Sequence, residues 1–114
     1  MEGNKVRIWL SFDLNFKTDP TPLYKWLADN DAQDCGIAVA TLSYDWDHVS
    51  DLHKVVEHDL REAGLSIVDG DRIYLVAPIR DEDGTTREIG KFLFGGRQRA
   101  VWDVYTVKNA AADE

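Results

Sequence analysis

Residues 5 to 14, KVRIWLSFDL, decide how the chain is read. Val6, Ile8, Leu10, Phe12 and Leu14 fall on one side of an extended chain, and Arg7, Trp9, Ser11 and Asp13 on the other, because successive side chains of a strand point to opposite faces. The alternation predicts a first strand with aromatic bulk on both faces. Asp13 ends its apolar run and has two readings. It terminates the strand or caps a loop by accepting bonds from nearby amides. Or, on the same face as Ser11, it holds a divalent cation together with water and a phosphate oxygen, since magnesium takes one or two carboxylates and keeps open positions.

Outward from this strand, Thr21 and Pro22 suit a helix cap and first turn, so PLYKWLADND reads as a short helix burying Leu23, Trp26 and Leu27. Gly36 restarts an extended chain, and IAVATLSYDW, residues 37 to 46, reads as one strand or as two split by a bulge or turn. From Asp47 or Ser50 the period becomes helical, with Val49, Leu52, Val56, Leu60 and Ala63 on one face and Gly64 as the stop. DRIYLVAPIR is a strand whose Pro78 predicts an edge position or a bulge. The turn DEDGTT joins it to REIGKFLF in a hairpin, and RAVWDVYTV alternates as a last strand. Residues 1–107 are expected to form one domain and 108–114 a flexible polar tail.

Two helices separated by strands predict an α+β sandwich of the ferredoxin-like βαββαβ kind, with both helices on one sheet face and an extra C-terminal β-hairpin or strand. The 114 residues, with four each of Trp, Tyr and Phe, suit one core. Cys35 is the only cysteine, so no intrachain disulfide is possible. No apolar run reaches bilayer length and no signal-peptide layout is present, so a cytoplasmic protein without a membrane partner is expected. The net charge of −8 repels phosphates on average and favours basic partners, so nucleic acid would need a local basic patch.

The opening IWLSFDL, a strand closing on an aspartate, is followed by a helix, AVATLSYDW, a second helix and RIYLVAPI. In order and length over about residues 6 to 79 this resembles the small ferredoxin-fold nucleases of the CRISPR adaptation-protein and VapD group. The resemblance implies a metal-dependent endoribonuclease, or an inactive relative, of a bacterial or phage defence or toxin–antitoxin system. It further implies a homodimer with the first-strand aspartates near the dimer axis, Asp13 as the catalytic and metal-ligating residue, and Mg2+ or Mn2+ as cofactor. The chain departs from that group in its acidity and in having no arginine near Asp13 between Arg7 and the first helix.

The one basic patch is GKFLFGGRQRAVW, where Lys91, Arg97 and Arg99 interleave with Phe92, Phe94 and Trp102. Such a pattern binds single-stranded nucleic acid by stacking and phosphate contacts, and it is also what an ordinary hairpin with core aromatics looks like. The glycine pair is not a phosphate loop, because it lacks the GxxxxGK[ST] pattern and precedes no helix. His48, His53 and His58 recur every five residues, which turns each about 140° from the last on a helix, so they do not converge on a metal. His53 with Glu57 and His58 with Glu62 read as exposed i,i+4 pairs. No Ser-His-Asp or Cys-His arrangement is legible.

Two functions from different classes follow. One is the endoribonuclease, with Asp13 at its centre and residues 86 to 107 adding dimer contacts or gripping RNA. The other is a non-enzymatic acidic binding protein, an antitoxin, immunity protein or anti-defence inhibitor, whose Asp29, Asp31, Asp34, Asp45, Asp47 and Asp51 occupy the basic surface of a protein partner.

Overall fold

A computed structural model describes residues 4–105. The elements run β1 (Lys5–Asp13), α1 (Thr21–Asp29), β2 (Gln33–Gly36), β3 (Val39–Asp45), α2 (Leu52–Glu62), β4 (Arg72–Arg80), β5 (Thr86–Phe94) and a 3-10 helix, Val101–Tyr105. The strands form one sheet in the order β2-β3-β1-β4-β5, and every neighbouring pair is antiparallel. The chain is thus an α+β domain with a five-stranded antiparallel sheet and two helices.

Strand β1 has neighbours on both edges, with Leu10 opposite Ala40 of β3 and Leu75 of β4. Its alternation comes out as read: Ile8 and Leu10 are fully buried, while Arg7, Ser11 and Asp13 are exposed. The core is built from that face, with Ala40, Leu42, Ile73, Leu75 and Ala77 on the neighbouring strands, Leu23, Trp26 and Leu27 from α1, and Leu52, Val56 and Leu60 from α2. Both helices therefore lie on one side of the sheet. Polar ties add to the apolar contact. The Tyr44 hydroxyl donates to Asp59 of α2, and burial first, then that bond, pushes the hydroxyl pKa well above its ordinary value. His53 reaches the Ile89 carbonyl of β5 through Nε2 at 2.8 Å.

Several local expectations are corrected. Helix α1 begins at Thr21 with Pro20 as cap, one residue early, because Asp19 already accepts the Thr21 amide at 3.0 Å. The extended stretch around Gly36 is two strands, and the break falls at residues 37–38, before Val39, where Ala38 takes φ 60° and Ile37 stands fully in solvent. Val49 and Ala63 are exposed rather than buried. Asp47 binds the Val49 and Ser50 amides and Asp51 caps α2, so the helix starts only at Leu52. His53 takes a core position and does not pair with Glu57, which instead binds Arg61 at 3.1 Å. Strand β4 is interior, but its ladder to β1 runs only from Arg72 to Val76. Pro78 lies beyond it, where no amide is needed on that side. Residues 101–105 form a 3-10 turn instead of a last strand, because Ala100 and Asp103 bond to each other, backbone to side chain and backbone to backbone, both at 3.0 Å. Residues 106–107 of the expected strand and the tail 108–114 lie outside the described residues.

One end of the sheet is closed by Asp71, which is 1% exposed. Its carboxylate accepts from the Asn15 amide, the Thr18 hydroxyl and the Val68 amide, so it ties the β1–α1 loop to the loop before β4. Burial would raise its pKa, but the bonds from Thr18, Val68 and Asn15 outweigh burial and hold it below the usual carboxylate range. Asp71→Ala leaves the buried Thr18 hydroxyl and the part-buried Asn15 and Val68 amides without their acceptor and is expected to cost on the order of 3 kcal/mol in chemical denaturation. A depressed folded pKa gives stability that is present above the unfolded value near pH 4 and is lost as pH falls through the folded one. The acid limb of stability against pH should accordingly be shallower in Asp71→Asn, by up to about 1.4 kcal/mol per pH unit.

Candidate functional site

The sheet face opposite the helices carries the other parity of each strand. On β1 these are Trp9, Ser11 and Asp13; on β4, Arg72, Tyr74 and Val76. Register sets them in rows, Trp9 beside Val76, Ser11 beside Tyr74 and Asp13 beside Arg72, with Phe92 of β5 continuing the Tyr74 row and Gly90 the Val76 row. All are half-buried or exposed. Trp9 is 39% exposed.

In the last row Arg72 donates from Nη2 to Asp13 Oδ2 at 3.0 Å. The two residues are 59 apart in sequence, so the arginine missing from the neighbourhood of Asp13 is supplied by a strand on the far side of α2. The Arg72 Nε is enclosed and has no hydrogen-bond partner among the described residues. A partly exposed ion pair contributes about 0–1 kcal/mol, whereas an enclosed donor without a partner costs about 1–3 kcal/mol. Stability alone does not account for this placement.

Two glycines shape the surroundings. A Cβ at Gly90 would lie 2.1 Å from the Tyr74 hydroxyl oxygen, so the missing side chain lets the Tyr74 ring lie across β5 and meet Phe92 edge to face, centroids 4.9 Å apart. Gly95 has φ 72°, and a Cβ there would lie 2.2 Å from the Asp71 carbonyl. That close crossing turns the chain after β5 back over the start of β4 and brings Arg97 to the row of Asp13 and Arg72. The outcome is an open cleft of about 280 Å³ lined by Ser11, Asp13, Arg72, Tyr74, Phe92 and Arg97. A second groove of about 480 Å³ continues from Arg72, Phe92 and Arg97 along residues 98–103 and includes Arg99.

The expected site residues are thus divided. Asp13 and Arg97 share the cleft and Arg99 lines the adjoining groove, but Lys91 pairs in register with the core residue Leu75 and belongs to the helix side of β5. Arg72 and Tyr74 were missed, although the parity of RIYLVAP, with Ile73, Leu75 and Ala77 in the core, assigns them to the same face as Asp13. His48 stacks on Trp46 at 4.6 Å, His53 is in the core and His58 is exposed, so the three do not converge. No group of three or more His, Cys, Asp or Glu side chains is placed to hold a metal among the described residues, and Asp13 brings a single carboxylate to the cleft.

The acids lie elsewhere. Asp31 and Asp34 sit before and within β2, two strands from β1. Asp45 stands opposite Lys5 at the start of β1, about 26 Å along the strand from Asp13. Asp47 and Asp51 follow Asp45, in the loop before α2. Several of these carboxylates already serve the backbone or a neighbour. Bonds from the Ser50 and Val49 amides, followed by the Ser50 hydroxyl, hold Asp47 below the usual carboxylate range, Asp51 caps α2, and Asp45 meets Lys5 at 3.5 Å.

No family model matches the chain, and no curated protein or solved structure does. No helix among the described residues is long and apolar enough to cross a membrane.

Because a Cβ at Gly90 would meet three atoms of Tyr74 at 2.1–2.7 Å, Gly90→Ala is expected to push that ring aside with a stability loss of about 1–3 kcal/mol. Near-ultraviolet circular dichroism should change and the unfolding midpoint fall, while the far-ultraviolet spectrum stays close to wild type.

Proposed function

We propose that this chain is a small endoribonuclease-like protein of ferredoxin-like fold, working as a homodimer, with Asp13 as its catalytic and metal-ligating carboxylate and the Arg97 and Arg99 segment as its RNA contact. The observation that carries this reading is the meeting of Asp13 with Arg72 and Arg97 in one cleft. A carboxylate that can hold a cation then stands beside two guanidinium groups that can hold the phosphate the cation would activate. The order β2-β3-β1-β4, with β1 between the two strands that α2 connects, supports the ferredoxin-like part, and β5 is an addition at the β4 edge.

Mg2+ or Mn2+ takes one or two carboxylates, and a second copy of the chain would bring the second, which is why the homodimer belongs to the reading. When bound, the ion would supply Lewis-acid activation of a phosphodiester. In this arrangement Arg72 orients the Asp13 carboxylate through its 3.0 Å bond, and Arg97 faces the substrate's phosphates. Partner mimicry by the acidic surface has thinner support, because Asp47 and Asp51 are engaged in holding turns and caps.

Incubation of wild type and Asp13→Asn, purified identically, with RNA and DNA in single-stranded and duplex form is expected to give cation-dependent cutting of RNA. That cutting should fall by at least about a hundredfold in the variant, equivalent to about 2.7 kcal/mol added to the barrier. Cutting that survives EDTA would remove the cation from the chemistry, and cutting that the variant retains would remove Asp13. A wild type that cuts nothing in either cation turns the search to a basic protein partner.

A further inference from the structure

The cleft holds more than a carboxylate and two cations, because its floor is aromatic. Tyr74 and Phe92 pack edge to face at 4.9 Å, both only half-buried, and Trp9 lies one row further along the same face. Half-buried rings on the sheet face opposite the helices, beside an arginine whose Nε has no partner among the described residues, match a ligand that is planar at one end and anionic at the other. We propose that Arg72, Tyr74 and Phe92 form a subsite for one nucleotide of single-stranded RNA, with the base stacked on the ring pair and its phosphate between Arg72 and Arg97. The inference rests on the RNA part of the reading above, and not on catalysis by Asp13.

The geometry selects single strands for two reasons. A base stacks on a side chain only when it has left its own helix, so a paired strand offers the floor nothing. Charge supplies the second. Arg72, Arg97 and Arg99 occupy one corner of the sheet and outnumber its Asp13 and Asp103, whereas the β4–β5 turn carries Asp81, paired with Arg87, Glu82 and Asp83, and Asp45, Asp47 and Asp51 lie beyond the start of β1. With a net charge of −8 over the whole chain, a long duplex meets repulsion outside that corner, while a short single strand fits within it. Asp13 is the positioning residue here, since it fixes the guanidinium through Nη2.

The test is fluorescence anisotropy with fluorescein-labelled ten-nucleotide RNA, single-stranded and duplex, and the full-length protein, in EDTA so that no cutting intervenes. The single strand should bind at least about tenfold more tightly than the duplex. With the subsite phosphate and the neighbouring one at Arg99 neutralised at about 0.7 each, raising salt from 50 to 200 mM should weaken binding about sevenfold. Arg72→Gln should remove about 0.7 from that salt slope. Gly90→Ala, which displaces the Tyr74 ring from beneath, should weaken binding about fivefold or more without changing the slope. Thermal melts of both variants establish that they are folded, and Phe92→Leu repeats the stacking test should Gly90→Ala not fold. Equal affinity for duplex, no binding of either RNA, or wild-type binding by folded Arg72→Gln and Gly90→Ala would each overturn the subsite. Single-strand binding with these losses but no cation-dependent cutting supports the subsite and rejects the nuclease reading. Cutting by a protein that prefers duplex does the reverse.

Discussion

Everything at the site depends on the register of β1. It is the strand with a core face on one side and partners on both edges that carries Asp13, so a slip of one residue would exchange Ile8 and Leu10 in the core for Trp9 and Ser11. No arrangement of the helices could absorb that exchange, and the register is correspondingly firm. Once Leu10 lies beside Leu75, Asp13 must lie beside Arg72. The ion pair at the sheet end is a consequence of packing three residues away.

The same end of the sheet is finished by backbone devices rather than by apolar contact. Asp71 gathers Asn15, Thr18 and Val68, and Gly95 lets the outgoing chain cross against the Asp71 carbonyl. One residue therefore anchors three segments whose arrival places Arg72 and Arg97 on either side of a cleft. The strand ladder supplies the floor, and these loop contacts supply the wall.

Net charge gives a poor picture of such a molecule. A value of −8 describes a uniform field, yet many acids lie around β2, the end of β3 and the β4–β5 turn, while Arg72, Arg97 and Arg99 gather, with Asp13 and Asp103 beside them, where β1 ends, β4 starts and the chain leaves β5. At physiological salt, charges more than about 8 Å apart are largely screened from one another. A local basic corner can coexist with an acidic remainder, and binding is decided by the corner.

The sequence by itself determined what depends on period and on local chemistry. Alternation over residues 5 to 14 set both faces of β1, the 3.6 period of Leu52, Val56 and Leu60 set the face of α2, and DEDGTT set the hairpin, because each signal lies within a few residues and needs no knowledge of neighbours. Tertiary structure decided what depends on pairing. Arg72 reached Asp13 across 59 residues, Lys91 went to the helix side, and His53 left its expected exposed place for the Ile89 carbonyl. At residues 101–105 a bond pair between Ala100 and Asp103 overrode an alternating pattern, since alternation makes a strand only where a partner strand offers its edge. A charged side chain gives no sign, in sequence, of the strand beside which it will be placed. That is why the Asp13 face was readable from the residues alone and the cleft was not.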